Sequence, residues 1–170
     1  PCDGNETACA YLTAFTKKGP TSIILTRQTL PYFEGTKDNA MKGGYILAEA
    51  SKKTPDMLLI ASGSEVQWAM NARTILEEKG IATRVVSMPC IELFEAQSEK
   101  YKNSVIPAKV RNRICIEAGS SYSWHKYAGL DGKVIAIDEF GMSGPANELF
   151  NYYGFTTENV VNTALEMMNK

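Results

Sequence analysis

Met57-Leu58-Leu59-Ile60-Ala61-Ser62-Gly63-Ser64-Glu65-Val66 is an apolar run, a small polar turn and the opening of a helical pattern. A continuous apolar run of that length, with no polar face, suits a strand covered on both sides. From Val66 onward, Val66, Ala69, Met70 and Leu76, widened by Trp68, Ala72 and Ile75, form one broad arc with Arg73 at its edge. That spacing predicts a helix to about Lys79, stopped by Gly80. Thr83-Arg84-Val85-Val86-Ser87 reads as the next strand and closes a β-α-β unit, whose crossover is expected to be right-handed.

The same grammar extends in both directions. Tyr45-Ile46-Leu47-Ala48, after Gly43-Gly44, reads as an edge strand. Two further strands are expected at Arg113-Ile114-Cys115-Ile116-Glu117 and Lys133-Val134-Ile135-Ala136-Ile137, with a short helix over Trp124 to Leu130 between them. Pro145 suits the first turn of a helix carrying Leu149 and Phe150 and ending at Gly154. Thr156 caps a last helix whose stripe is Val160, Val161, Ala164, Leu165 and Met168. Strands alternating with helices imply an α/β fold: a mostly parallel, mixed sheet with helices on both faces, a Rossmann-like three-layer arrangement.

Toward the amino terminus, Asp3 and Glu6 resemble a helix-capping pair, and Ala8, Tyr11, Leu12 and Phe15 follow at helical spacing. Gly19-Pro20 stops that helix. Ser22-Ile23-Ile24-Leu25-Thr26 then reads as an apolar strand that delivers Arg27 at its carboxyl end, where an α/β protein meets its ligand. Pro31 to Met41, with Gly35, Lys37 and Asp38, has no period and reads as a linker. Pro1 is not an initiator residue and one helix precedes the first strand, so the chain is expected to begin inside a larger protein.

Composition narrows the function. A chain of 170 residues, 44% hydrophobic and 22% charged, accommodates one well-buried core. A net charge of −1 offers no argument for nucleic acid or an anionic membrane, and no apolar run is long enough to cross a bilayer. Cys2, Cys9, Cys90 and Cys115 lack C-x-x-C spacing and are joined by a single His, which argues against a zinc site. Reduced cysteines are the expectation, with Cys90 and Cys115 as small core residues.

Arg27 is the leading candidate. A guanidinium grips a phosphate or carboxylate with two parallel hydrogen bonds, and a buried ion pair with a neighbouring acid accounts for its position equally well. Gly63-Ser64-Glu65 opens a helix, but Glu65 already supplies negative charge to the helix dipole and opposes an anion, so self-capping is the preferred reading. Gly141-Met142-Ser143-Gly144-Pro145 fails the nucleophile-elbow pattern at Pro145 and reads as a rigid turn. His125, beside Lys126, has no assignable Ser or Cys partner. Asp138 and Glu139 are adjacent and point to different sides of an extended chain, so they do not form a cooperating pair.

Several ordered segments resemble one family. Pro1-Cys2-Asp3-Gly4-Asn5-Glu6-Thr7-Ala8 and Thr26-Arg27-Gln28-Thr29-Leu30-Pro31 are similar to the end of the pyrimidine-binding domain of transketolases. Lys42-Gly43-Gly44-Tyr45-Ile46-Leu47, Ala61-Ser62-Gly63-Ser64-Glu65-Val66, Arg84-Val85-Val86-Ser87-Met88-Pro89, Phe140-Gly141-Met142-Ser143-Gly144 and Gly154-Phe155-Thr156 resemble their carboxyl-terminal domain in order and spacing.

The resemblance implies residues 1–35 as the tail of the pyrimidine-binding domain and 36–170 as the C-terminal domain. It implies transfer of a two-carbon ketol group from a ketose phosphate to an aldose phosphate in the pentose phosphate pathway. The longer enzyme is expected to be a cytoplasmic homodimer using thiamine diphosphate and a divalent metal, Mg or Ca. Arg27 matches the Arg of the family's S-R-Q-N-L-P segment, which contacts the substrate phosphate; Thr26 and Thr29 depart from its Ser and Asn. No catalytic, cofactor-binding or metal-binding residue is carried onto this chain, which by itself is expected to be structural and inactive, without cofactor. Dihydroxyacetone synthase, deoxyxylulose-phosphate synthase, the β subunit of a 2-oxoacid dehydrogenase and a small-molecule-binding module with its pocket at Ser62 to Ser64 are the alternatives.

Overall fold

The computed structural model describes residues 1–36 and 38–169, so Lys37 of the expected linker lies outside the described residues. The first helix, α1 (Gly4–Thr16), is followed by an irregular excursion and a short 3₁₀ turn at Asp38–Lys42. The remaining order is β1 (Tyr45–Ala48), β2 (Met57–Ala61), α2 (Val66–Glu78), β3 (Thr83–Ser87), α3 (Ile91–Glu95) and α4 (Glu99–Val105). After these come β4 (Arg113–Ile116), α5 (His125–Ala128), β5 (Lys133–Ile135), α6 (Ala146–Tyr152) and α7 (Thr157–Met168).

The five strands form one sheet in the order β1-β3-β2-β4-β5. Only β1 runs antiparallel, pairing Tyr45 with Ser87 at the edge. The parallel register places Leu59 beside Val85 on one side and Ile114 on the other. Side chains of a strand alternate between faces, and β2 feeds two cores. Met57, Leu59 and Ala61 pack with Val66, Ala69, Ala72 and Leu76 of α2 and with Val160 and Ala164 of α7. Leu58 and Ile60 pack with Phe94, Val105, Trp124 and Tyr127 on the opposite face. The mostly parallel, three-layer α/β expectation therefore holds. Pairing also runs one step past the assigned ends, since Glu117 N–H donates to Ile135 O (3.0 Å) and Ile137 N–H to Gly119 O (2.8 Å).

Three expectations need correction. Ser22–Thr26 is not a strand: it has no strand partner among the described residues, and Ile24 is 85% exposed. A strand exists only where a neighbour takes its N–H and C=O groups, which apolar composition cannot supply. The α1 stripe faces outward, with Tyr11, Leu12 and Phe15 exposed and Glu6 the one buried helix residue. On α7 the inner face is Val160, Val161, Ala164 and Met167, while Leu165 is half-buried and Met168 exposed. The short helices α3 and α4 were not anticipated. Ser98 starts α4 by accepting from the Tyr101 N–H, and Phe94 and Val105 anchor the pair in the core.

Candidate functional site

α1 starts where the buried side chains of Asp3, Glu6, Thr36, Tyr45 and Ser87 meet. Asp3 Oδ1 accepts from the Glu6 N–H (2.8 Å), which is the expected cap. Glu6 does not complete a capping box by reaching back to the Asp3 N–H. Its carboxylate accepts instead from the Cys2 N–H (2.6 Å), the Tyr45 hydroxyl (2.8 Å) and the Ser87 hydroxyl (2.6 Å). Tyr45 lies on β1 and Ser87 ends β3, so one carboxylate fastens the helix to two strands. Burial, then the Glu6 charge, pushes the Cys2 thiol and the Tyr45 hydroxyl well above their ordinary ranges. Both stay protonated. The other Asp3 oxygen, Oδ2, accepts from the Thr36 hydroxyl (2.6 Å) and the Phe33 N–H (3.2 Å).

Between those two points the chain makes a long outward excursion, with Arg27 exposed near its end. Among the described residues no ion pair involves Arg27, so the buried-ion-pair alternative is not realised in this structure. Its local support is slight: Gln28 N–H donates to Thr26 Oγ1 at 3.3 Å.

A cavity of about 410 Å³ separates the excursion from the sheet, lined by Thr13, Ile23, Ser62, Glu65, Cys90 and Glu117 among others. It sits outside the carboxyl ends of β2 and β4. The chain leaves β2 for β3 on one side and later returns to β4 on the other, which makes this crevice the topological switch point. Ser64 Oγ donates to Glu65 Oε1 and Ser62 Oγ to Glu117 Oε2, each at 2.6 Å.

Burial pushes the Glu65 carboxyl up to about 7; the Glu117 charge adds to this and the Ser64 hydroxyl offsets part. Burial also raises Glu117, against the pull of Ser62. Glu65 makes no side-chain hydrogen bond as the residue that caps α2, but it is the acid of the 3₁₀ turn that opens the helix (Gly63–Glu65), and its buried carboxylate is held by its own backbone N–H and that of Ala118. Glu65, so placed, can carry a proton near neutral pH. The meeting of the two carboxyls depends on strand order, which no local pattern shows.

The remaining candidates are dispersed. His125 Nε2 lies 3.1 Å from the Ser121 hydroxyl on an exposed turn. Asp138 accepts from the Ser121 N–H (2.8 Å) and the Ser120 hydroxyl (3.4 Å), which hold it below the usual carboxylate range, so the three do not form a relay ending in an activated hydroxyl. Gly141 to Pro145 is an exposed approach to α6. Cys115 is fully buried, its thiol pushed up to about 12 by burial, while Cys90 is only half-buried.

Comparison with known proteins agrees with this fold. Residues 43–156 match the family described as the transketolase-like TK C-terminal domain. A transketolase of Aquifex aeolicus is 50% identical over 98% of this chain and 25% of its own length. One from Bacillus subtilis is 47% identical over 100% of this chain and 26% of its own. Among solved structures, a Pichia stipitis transketolase in complex with sedoheptulose 7-phosphate superposes with a TM-score of 0.88 at 39% identity, covering 98% of this chain and 24% of that one. The Leishmania mexicana transketolase gives 0.90 at 35% identity, covering 98% and 24%. The chain spans about a quarter of the length of the curated relatives it matches. With this sheet order and those matches, the chain belongs to the transketolase family and carries its C-terminal domain.

Proposed function

We propose that this chain is the C-terminal part of a ketol-transferring enzyme, in which Arg27 holds the phosphate of a sugar-phosphate substrate. The observation that carries the site assignment is an exposed guanidinium in Thr26-Arg27-Gln28-Thr29-Leu30-Pro31 with no ion pair among the described residues. A cation in that state is available for a bidentate grip on an anion. The substrate class is supported by the Pichia stipitis relative, solved with sedoheptulose 7-phosphate. In this reading residues 1–35 complete a pyrimidine-binding domain, residues 36–170 form the C-terminal domain, and the enzyme is a cytoplasmic homodimer.

Thiamine diphosphate and a divalent metal are the proposed cofactors of the longer enzyme. The residues here do not fit the metal: among the described residues no group of three or more His, Cys, Asp or Glu is placed to hold a metal ion. Their site is assigned to other parts of that enzyme, and this chain by itself is proposed to be inactive.

The test uses a full-length transketolase carrying this chain, with Arg27→Ala. Losing a charge-assisted contact costs about 1.5–3 kcal/mol, so kcat/KM for xylulose 5-phosphate is expected to fall roughly 10- to 150-fold. The fall for unphosphorylated hydroxypyruvate is expected to be at least tenfold smaller. Equal losses on both donors would remove Arg27 from the phosphate site.

The switch-point cavity favours a second reading, a small-molecule module. Glu6, Glu65 and Glu117 line it against one lysine, Lys17, which opposes anionic ligands. Calorimetry with nucleotides and sugar phosphates is expected to be silent; micromolar binding abolished by Glu117→Gln would favour that reading.

A further inference from the structure

The amino ends of β4 and β5 border a second cavity, of about 230 Å³, lined by Arg111, Arg113, Ala128, Gly129, Leu130 and Asp131 among others. It lies at the opposite end of the parallel strands from the place where α1 meets the sheet, since Glu6 reaches Ser87 at the carboxyl end of β3. Every lining residue falls within the stretch that matches the C-terminal domain family. The shape of this cavity is therefore independent of what covers Ser22–Thr26.

Arg113 opens β4 and is half-buried. Its Nε donates to Val110 O (2.7 Å), Nη1 to Tyr127 O (3.0 Å) and Nη2 to Pro107 O (3.0 Å). Three carbonyls fix the plane of the guanidinium and leave its charge without an acid: among the described residues no ion pair involves Arg113. A guanidinium carries five N–H groups, so one remains on each Nη. Burial, and the charge of Arg111 with it, hold Arg113 below its ordinary value, as expected of a cation short of negative charge. Gly129, at φ +73°, turns the chain beside Nη1, and a Cβ there would stand 4.0 Å from that nitrogen. A residue able to take that turn without strain also leaves the guanidinium uncovered.

Arg111 supplies a second cation. It is exposed and pairs through Nε with Asp131, itself exposed, and such a pair contributes little and is readily exchanged for another anion. A clamp that only ties the loop before β4 to α5 accounts for the three carbonyl bonds. It leaves the cavity, the spare N–H groups and the second guanidinium without a role. We propose that this cavity is an anion site for a phosphate dianion, free or as the monoester of a small molecule: Arg113 binds it with its two remaining N–H groups, and Arg111 leaves Asp131 to complete the grip. Two guanidinium groups against one carboxylate leave a net positive charge for a dianion to neutralise. The site is separate from Arg27 and stands whether or not Arg27 holds a substrate.

The probe is inorganic phosphate at constant ionic strength, followed by amide chemical shifts of the chain carrying Arg27→Ala, which removes the other phosphate candidate. Saturable shifts are expected at Arg113, Gly129, Leu130 and Asp131 with a Kd of roughly 1–10 mM, weaker than the micromolar binding sought at the switch-point cavity. Arg111→Gln leaves the three carbonyl bonds of Arg113 in place and is expected to weaken binding about fivefold. Asp131→Asn removes the competing carboxylate and is expected to tighten binding about threefold, an effect that a purely structural ion pair would not produce. Arg113→Lys keeps a charge but loses the fork, and is expected to abolish saturation. Where that variant does not fold, the Arg111 and Asp131 variants carry the test.

Glycerol 3-phosphate separates the two sources: binding more than about threefold tighter than that of phosphate assigns a small ester, and equal or weaker binding assigns the free anion. In a full-length transketolase carrying this chain, millimolar phosphate is expected to slow amide exchange across residues 107–131. No slowing there would overturn the site. So would shifts that rise without saturating, that chloride reproduces at the same ionic strength, that survive Arg111→Gln unchanged, or that weaken in Asp131→Asn.

Discussion

Met57–Ala61 and Ser22–Thr26 are both short runs dominated by aliphatic residues, and their fates are opposite. The first is β2, with every residue fully buried between two helical layers. The second has no strand partner among the described residues and is largely exposed, with Leu25 49% accessible. Composition makes a segment able to be a strand; neighbours decide whether it is one. β2 has β3 and β4 on its flanks, whereas the excursion has a cavity on one side and open surface on the other. The part proposed to carry a ligand group is the part that this sheet leaves uncovered.

The widest gap is expected from truncating the buried run. Leu59→Ala removes a fully buried side chain at the centre of the sheet, packed against α2 and α7. Deleting such a group costs transfer free energy plus the cavity left behind, about 2–5 kcal/mol. Urea unfolding of the chain should show that loss as a lower midpoint at an unchanged slope. A loss below about 1 kcal/mol would mean that the two helical layers do not close over β2 in solution.

A smaller effect of opposite sign is expected at the boundary between the two regions. Glu65 holds its proton up to about pH 7 in the fold, while an unfolded Glu releases it near 4.5. A raised carboxyl favours the folded state below the unfolded value and loses that advantage as pH rises through the folded one. Glu65→Gln is neutral at every pH, so its stability relative to the native chain should climb from pH 4.5 to 7 and level off above. The full climb is about 3 kcal/mol. Chemical unfolding at pH 4.5 and pH 8 measures it, and a difference that does not change with pH would place the carboxyl in contact with water.

The body of the fold was legible because its signals are local. A continuous apolar run gave β2, Gly80 with φ +80° stopped α2, and Thr156 capped α7 by accepting from the Asn159 N–H. What escaped depends on partners far along the chain. Glu6 reads as half of a capping box until Tyr45 and Ser87 are beside it, and Ser62 meets Glu117 only once β2 and β4 are known to adjoin. The helices α3 and α4 are too short for a period to emerge and are held by Phe94 and Val105 in the second core. Arg27 was legible as a motif, while its missing ion pair was a matter of structure.

The smallest expected effect is the sharpest test of why the two runs differ. Ile24→Ala removes a side chain that is 85% exposed, and in this chain it should change the unfolding free energy by less than about 0.5 kcal/mol. The proposed longer enzyme reverses the expectation. There Ser22–Thr26 is read as a covered strand of the pyrimidine-binding domain, and the same truncation should cost about 2–5 kcal/mol, as it does for a buried aliphatic residue. Amide exchange gives the matching readout: Ile23 to Leu25 should exchange freely in this chain and be protected in the longer one. If Ile24→Ala is silent in both, the run is an exposed arm in either context, with no neighbouring strand to support Arg27.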